Sequence, residues 1–151
     1  MVTHISHSPE ETAALGESWG RAARPGWVLG LSGDLGAGKT QLVKGLARGL
    51  GLTARVHSPT FALVNEYAGG RLPLSHLDLY RIDTKEQIRS AGLEEYLRPR
   101  GVTVIEWVER WFEPASSSGF QVSSFAAGYR HVRIETLTET ERRIAYEDFG
   151  A

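Results

Sequence analysis

The chain has 151 residues, 41% of them hydrophobic and 23% charged, with a formal net charge of -1; we predict one domain over 1–151, without a general affinity for nucleic acid or anionic membranes. It has no cysteine, which excludes a disulfide framework, a thiolate zinc site and a catalytic thiol. No segment approaches the roughly 20 apolar residues that span a bilayer, and the first residues carry no signal-peptide pattern, so we expect a cytoplasmic protein with no membrane partner.

The first elements predicted along the chain are a helix, a strand and a second helix. Residues 8–11 read SPEE, which is typical of a helix start, and this helix should run to about Ala22. The apolar run at 27–32 ends at a glycine turn and predicts a buried strand. Four apolar residues then recur at helical spacing before a glycine stop: Leu42, Val43, Leu46 and Leu50.

Shorter elements are predicted in the middle of the chain. Segments 61–67 and 72–79 read as two strands, and the glycine pair at 69–70 reads as the hairpin turn between them. Asp83 is expected to cap a short helix that holds Ile88.

The last part of the chain predicts strands. Segment 93–97 suggests one more short helix, and the β-branched run at 102–105 predicts a central strand. Alternation of polar and apolar residues over 130–136 predicts a half-exposed strand. The tail from Thr138 is compatible with a capping box at a helix start and also with a strand.

The strongest motif is GDLGAGKT at 33–40, which matches the phosphate-loop pattern G-x-x-x-x-G-K-[ST] at every fixed position. Its glycines allow consecutive amides to point at phosphate oxygens, and the helix that starts near Gly38 adds the positive end of its dipole. Lys39 is expected to reach the β- and γ-phosphates, and Thr40 to ligate Mg²⁺. We therefore predict ATP and Mg²⁺ as cofactors, bound by Gly33, Asp34, Leu35, Gly36, Ala37, Gly38, Lys39 and Thr40.

Two acids follow predicted strands and could serve catalysis and the metal. Asp78 stands where a Walker-B acid would lie, although an aspartate there can also cap the strand end. Glu106 ends the strand at 102–105 and could ligate Mg²⁺ or orient water, the alternative being a solvated glutamate. With Lys39 they form our predicted catalytic set, and which acid positions the water stays open.

Other polar and aromatic residues near these motifs have more than one interpretation. Thr60 could sense the γ-phosphate through the metal as switch loops do, although an ordinary turn with Thr60 at the start of a strand explains the spacing slightly better. Trp107 and Trp111 could be core or interface aromatics. His57 and His76 lack the spacing of metal ligands, so we assign them no metal.

Four sequence blocks occur together in a characteristic order: GDLGAGKT at 33–40, HSPTFALVNEY at 57–67, HLDLYR at 76–81, and VIEW with a following VE at 104–109. In this combination the chain resembles the TsaE family, formerly YjeE, over about residues 8 to 135. That family comprises bacterial P-loop ATPases required for the threonylcarbamoyl modification of adenosine 37 in tRNA.

The resemblance implies roles for individual residues. The loop at 33–40 would wrap the ATP phosphates, with Thr40 and Glu106 as Mg²⁺ ligands and Asp78 as the Walker-B acid. Thr60 would lie in a switch-like loop.

The resemblance also extends to neighbours of the site and to partners. Trp107 would lie next to the catalytic residues, and Tyr129 or Arg130 would contact the base or ribose. The protein would dock on the TsaB–TsaD pair and use its ATP cycle to allow repeated turnover, with tRNA involved only indirectly. Its ATPase activity alone should be slow.

Other functions fit parts of the sequence. A small-molecule P-loop kinase is the main alternative, with 98–100 as a lid fragment, but no acceptor-binding pattern accompanies it. A GTPase is disfavoured because no Asn-Lys-x-Asp pattern for guanine is present. A nucleotide-gated interaction module without catalysis is disfavoured by Asp78 and Glu106.

The predicted fold is α/β: a three-layer, P-loop NTPase-like domain with a mixed central sheet flanked by helices. The hairpin over 61–79 adds antiparallel pairs to an otherwise parallel sheet. The ligand should lie at the carboxyl ends of the parallel strands.

Overall fold

The computed structural model describes residues 1–34, 36–53, 55–56, 63–112 and 127–150. Within these residues, the helices are α1 (Pro9–Ala22), α2 (Lys39–Gly49) and α3 (Lys85–Ser90), with two 3₁₀ helices at Leu93–Leu97 and Val108–Arg110. The strands are β1 (Val2–Ser6), β2 (Trp27–Gly33), β3 (Val64–Tyr67), β4 (Leu74–Asp78), β5 (Val102–Glu106), β6 (Gly128–Thr136) and β7 (Arg142–Gly150).

The seven strands form one mixed sheet in the order β1-β7-β6-β2-β5-β4-β3. The central strands β6, β2, β5 and β4 are parallel, and the β1–β7, β6–β7 and β3–β4 pairs are antiparallel. The predicted mixed α/β fold is therefore confirmed. Because the parallel strands share one direction, their carboxyl ends meet at a single edge of the sheet.

Apolar side chains cover both faces of the sheet. On one face, Trp19 of α1 and Leu42 and Leu46 of α2 pack in a core with Leu29 of β2. On the other face, Ile88 of α3 packs with residues of the two 3₁₀ helices and with β-strand side chains. The sheet is thus the middle of three layers, which accounts for the fully buried β5 in its interior.

Helices α1 and α2 approach each other through glycines. A Cβ atom added at Gly45 would collide with the carbonyl oxygen of Ala13, and one added at Gly16 would collide with the carbonyl oxygen of Leu42. Because the glycines let the two backbones touch, α1 holds α2 in place. The first turn of α2 contains Lys39 and Thr40, the last two residues of the phosphate loop.

Side-chain acceptors cap the starts of α1 and α3. The residue predicted to cap α3 was wrong. Ser8 caps α1 as expected, since its hydroxyl accepts the amide of Glu11. The cap of α3 is Thr84 rather than Asp83, because Thr84 and Gln87 form a reciprocal capping box.

The ends of the chain add strands to the sheet. The tail is strand β7 and not a helix; Thr138 accepts the amides of Thr140 and Glu141 in the turn that precedes it. Strand β1, which pairs with β7, was not predicted. Residues 61–62 of the predicted hairpin lie outside the described residues. Within the described ranges, no helix has the length and apolar character needed to cross a bilayer.

Candidate phosphate-binding site

A cavity of about 360 Å³ opens at the carboxyl ends of β4 and β5, beside the start of α2. Its lining combines the loop, both predicted acids and two aromatic residues: Gly36, Gly38, Lys39, Thr40, Gln41, Asp78, Tyr80, Glu106 and Trp107. The fold therefore brings Lys39, Thr40, Asp78 and Glu106 together, at the edge where the sequence predicts a ligand.

The loop has a backbone shape suited to an anion. Gly36 and Gly38 have φ angles of +79° and +104°, a conformation that favours glycine. No side chain caps α2 at Gly38, so an anion can take the place of a cap at this helix start. Leu35 lies outside the described residues.

Lys39 is buried and folded back on its own loop. Its Nζ donates hydrogen bonds to the carbonyl oxygens of Gly33 (2.7 Å) and Asp34 (2.8 Å), and lies 4.2 Å from the centroid of the Trp107 ring. Desolvation by burial lowers the pKa of Lys39, and the surrounding carboxylates, Glu106 foremost, oppose that shift. The ammonium thus lies within the loop, held by groups that an incoming anion can replace.

Glu106 connects the loop to a buried histidine. Its two carboxylate oxygens each lie 3.4 Å from the Thr40 hydroxyl, and one of them lies 2.5 Å from Nε2 of His76. Glu106 is 3% exposed and His76 is 0% exposed, and Nδ1 of His76 has no partner. The solvated-glutamate interpretation is therefore excluded. His76 fixes the orientation of Glu106, a role that the sequence reasoning missed.

Asp78 lies beside Glu106 on the neighbouring strand. The two residues are register partners at the ends of β4 and β5. Oδ1 of Asp78 accepts the amide of Tyr80 at 3.0 Å, so the aspartate also has the capping role weighed above. Burial raises the pKa of Asp78, and the charge of Glu106 raises it further, against the effects of Tyr80, His76 and Lys39.

After β5 the chain turns sharply at Trp107. This residue has a φ of +61° and is the one non-glycine residue with positive φ in the part of the chain that the structure describes. The turn places the indole over Lys39 and 5.1 Å from the ring of Tyr80. This placement agrees with the expectation that Trp107 lies next to the predicted catalytic residues, and the strained backbone is of the kind found at functional sites.

Glu109 is a third carboxylate near Lys39, to which no role was assigned from the sequence. It is half-buried in the 3₁₀ helix that follows Trp107, and its Oε1 atom is buried without a hydrogen-bond partner. Desolvation raises the pKa of Glu109. The only signal in the sequence was its membership of the block at 104–109.

Arg130 lies away from this cavity. It pairs in register with Leu29, whereas the loop begins at Gly33, four residues or about 13 Å further along β2. Its guanidinium makes two hydrogen bonds to Asp148 and contacts the ring of Tyr146 at 4.0 Å. The structure therefore does not bring Arg130 to the predicted site.

Of the other residues predicted near the nucleotide, Tyr129 is buried in the core and Thr60 lies outside the described residues. Tyr129 is 1% exposed and packs in the core beneath the sheet. Thr60 and His57 lie outside the described residues, so the switch-like role of Thr60 stays a prediction.

The donor set fits Mg²⁺ when phosphate completes it. Among the described residues, no group of three or more His, Cys, Asp and Glu side chains could hold a metal ion. Mg²⁺ characteristically takes one or two carboxylates together with phosphate oxygens and waters. The oxygens of Thr40 and Glu106 lie 3.4 Å apart, close to the roughly 3 Å that separates adjacent ligands of an octahedral Mg²⁺ with bonds of about 2.1 Å.

Comparisons with known proteins agree on one family. A family model described as threonylcarbamoyl adenosine biosynthesis protein TsaE matches residues 6–144. The tRNA threonylcarbamoyladenosine biosynthesis protein TsaE of Bacillus subtilis (strain 168) is 44% identical over 121 residues, which cover 80% of this chain and 75% of that protein. The TsaE protein of Nostoc sp. is 50% identical over 130 residues, covering 83% and 80%.

A solved structure supports the same assignment. The crystal structure of YdiB from Bacillus subtilis superimposes with a TM-score of 0.74 at 33% identity and covers 99% of this chain and 86% of that one. The match includes the mixed sheet with its flanking helices.

Proposed function

The chain belongs to the TsaE family of threonylcarbamoyl adenosine biosynthesis proteins, and on this basis we propose that it is a Mg²⁺-dependent ATPase that assists the threonylcarbamoylation of adenosine 37 in tRNA. We propose further that it acts as an accessory to the TsaB–TsaD pair, with tRNA involved only indirectly. The observation that carries the ATPase proposal is the convergence of Lys39, Thr40, Asp78 and Glu106 on one cavity.

Each residue has a distinct part in the proposed activity. The loop amides and Lys39 bind the phosphates, and Thr40 and Glu106 hold Mg²⁺. When held by Thr40 and Glu106, Mg²⁺ would neutralise phosphate charge and polarise the bond to be broken. His76 keeps Glu106 oriented toward Thr40.

We assign the orientation of the attacking water to Asp78. Both oxygens of Glu106 face Thr40, and one of them also contacts His76. Asp78 uses one oxygen for the Tyr80 amide and keeps a second one for water. Burial raises its pKa, which makes this carboxylate a better proton acceptor than an exposed aspartate.

The proposed partnership is tested by purifying the protein with TsaB and TsaD of its host and measuring ATP hydrolysis with and without them. We expect slow hydrolysis alone, faster hydrolysis with the pair, and loss of multiple-turnover tRNA modification when this protein is omitted. Hydrolysis that ignores the pair, together with modification that proceeds without this protein, would contradict the accessory role.

The kinase alternative receives no support from the described residues. Arg98, from the segment considered as a lid, lines a different cavity with Glu94 and Trp111. Incubation with ATP and candidate metabolites separates the two functions, because a kinase places phosphate on the metabolite and an ATPase releases it.

A further inference from the structure

The turn between β6 and β7 contacts the phosphate loop through Arg142, a residue that the proposed mechanism does not use. Nε of Arg142 donates a hydrogen bond to the carbonyl oxygen of Ala37 at 3.2 Å, although the two residues are 105 positions apart in the chain. Ala37 is 0% exposed and belongs to the loop at 33–40. A side chain from near the end of the chain therefore holds the backbone of the loop at a buried position.

The guanidinium of Arg142 is itself held in place by the turn. Its Nη1 donates to the carbonyl oxygens of Thr138 at 2.7 Å and of Glu141 at 2.9 Å. The Glu141 carbonyl also accepts the amides of Leu137 and Thr138, so these acceptors belong to a turn with hydrogen bonds of its own. Because the guanidinium is planar and rigid, fixing one of its edges on the turn also fixes the N–H that reaches the loop.

The contact with Arg142 determines the direction of one amide in the loop. The C=O and N–H groups of a trans peptide point in opposite directions. Since the Ala37 carbonyl is turned toward Arg142, the amide of Gly38 points away from Arg142. Gly38 lines the cavity that also contains Lys39 and Thr40. Arg142 thus sets the orientation of an amide that the proposed phosphate site uses.

The glycine at position 38 makes such an external contact necessary. Gly38 has a φ of +104°, and rotation of the peptide between Ala37 and Gly38 changes this angle. Glycine adopts positive and negative φ about equally readily, so the residue itself opposes the rotation only weakly. In the rotated peptide a carbonyl oxygen would replace the amide, and an acceptor would face a phosphate oxygen where a donor is needed.

We propose that Arg142 is a positioning residue of the phosphate loop, which holds the peptide between Ala37 and Gly38 with its amide directed at the bound phosphate. Arg142 raises the affinity for nucleotide without touching it, because a loop already in the binding orientation loses less conformational freedom when the ligand binds. The inference rests on the proposed nucleotide binding, and it extends the site to the turn before β7.

The test separates the geometry of Arg142 from its charge. Arg142→Gln removes both, whereas Arg142→Lys keeps the charge and lacks the planar group that joins the turn to the loop. Arg143→Gln is the matched control for loss of one positive charge, because Arg143 is the next residue, is exposed and pairs with Glu135. Affinity for ATP with Mg²⁺ is measured by calorimetry, and amide hydrogen exchange is followed by NMR without added nucleotide.

Two amides distinguish a change in the loop from a change in the whole fold. The Ala37 amide donates to the Asp34 carbonyl within the loop at 3.1 Å, and the Leu50 amide donates to the Leu46 carbonyl at the end of α2 at 3.0 Å. Faster exchange at Ala37 alone indicates local opening of the loop, whereas faster exchange at both amides indicates a less stable fold.

We expect Arg142→Gln to bind ATP with Mg²⁺ about tenfold more weakly than wild type, because a charge-assisted hydrogen bond that orders the loop is lost. Its Ala37 amide should exchange faster, with exchange at Leu50 unchanged. Arg142→Lys should recover only part of the affinity, and its Ala37 amide should still exchange faster than in wild type. Arg143→Gln should match wild type in both measurements.

The outcomes distinguish this inference from the proposed function. If wild type binds ATP and Arg142→Gln binds it as tightly as Arg143→Gln, the role of Arg142 is wrong and nucleotide binding stands. If Arg142→Lys has full affinity while its Ala37 amide still exchanges faster, the charge of Arg142 supports binding and the positioning role is wrong. Equal Ala37 exchange in Arg142→Gln and wild type also contradicts the inference.

Two further outcomes are also decisive. If Arg142→Gln speeds exchange at both amides, the comparison of Arg142→Lys with Arg143→Gln decides by the same two measurements, and identical values in these two variants contradict the inference. If wild type does not bind ATP, the proposed function fails and the inference falls with it.

Discussion

The hydroxyl oxygen of Thr40 lies 3.4 Å from both carboxylate oxygens of Glu106, although 66 residues separate them in the chain. Thr40 belongs to the first turn of α2, and Glu106 is the last residue of β5. Because β5 pairs in parallel with β2, which leads into the phosphate loop, the two elements end side by side. The central strand pairing is therefore what assembles the proposed Mg²⁺ ligands.

Replacing Glu106 by glutamine should abolish most ATP hydrolysis. The change removes the charge that neutralises the metal while keeping the size of the side chain, so we expect a loss on the order of 100-fold. Steady-state phosphate release over a range of Mg²⁺ concentrations measures it, with Glu139→Gln as the control. Unchanged hydrolysis in Glu106→Gln would remove this residue from the site.

Replacing His76 should weaken the use of Mg²⁺ without removing any ligand. Nε2 of His76 lies 2.5 Å from the Glu106 carboxylate, and loss of an outer contact of this kind typically costs 10–100-fold in metal affinity or activity. His76→Phe should therefore raise the Mg²⁺ concentration needed for half-maximal hydrolysis, and His76→Gln, which can still donate to Glu106, should restore part of it. Equal Mg²⁺ dependence in wild type and His76→Phe would show that His76 only fills space.

Local sequence patterns were sufficient to predict that the loop and the two acids lie at the same edge of the sheet. The motif at 33–40 and the acids after predicted strands led to Lys39, Thr40, Asp78 and Glu106, because residues at the ends of parallel strands meet at one edge. His76 was missed because its partner lies on another strand. Its position two residues before Asp78, on the same face of β4, was the available signal.

The family resemblance did not predict the position of Arg130 relative to the phosphate loop correctly. Strand order was not predicted, so its place along β6 relative to the loop was unknown. The register of β6 on β2 places it level with Leu29, four residues before the loop begins at Gly33. Strand β1 was not predicted because a strand with four of its five residues exposed needs no alternation of apolar and polar residues, and its sequence, VTHIS, has none.

Adding a methyl group at Gly45 should destabilise the fold. A Cβ there collides with the Ala13 carbonyl, and this backbone cannot move aside as a flexible side chain can. The clash outweighs the gain in helix propensity of up to about 1 kcal/mol, so we expect Gly45→Ala to lower the free energy of unfolding by about 2 kcal/mol. Urea denaturation measures this, and Lys44→Ala on the exposed side of α2 is the control. Equal stability of Gly45→Ala and Lys44→Ala would contradict the close packing of α1 on α2.

Stability should fall at mildly acidic pH through His131. Burial lowers the pKa of His131 in the folded protein, an effect that Arg133 strengthens and Glu147 opposes. The unfolded chain, with an ordinary pKa of 6.5 for this residue, then binds more protons, so stability is fully present above that pH and is lost as pH falls toward the folded value.

The measurement for His131 is urea unfolding at several pH values from 7.5 downward, a range chosen to include the ordinary histidine pKa of about 6.5. His131→Gln should lose less stability on acidification than wild type, since both proteins keep all other titrating groups. An identical loss in the two proteins would show that His131 does not contribute to the pH dependence.

The central claim is that the cavity between the glycine loop and the two strand-end acids binds ATP with Mg²⁺. Its most direct test is calorimetric titration of ATP, with and without Mg²⁺, into wild type, Lys39→Ala and Lys44→Ala. We expect Mg²⁺-dependent binding to wild type and to Lys44→Ala, and affinity at least about tenfold weaker in Lys39→Ala, which lacks the charge-assisted hydrogen bonds to phosphate. Absence of binding to wild type, or equal binding to Lys39→Ala, would contradict the claim.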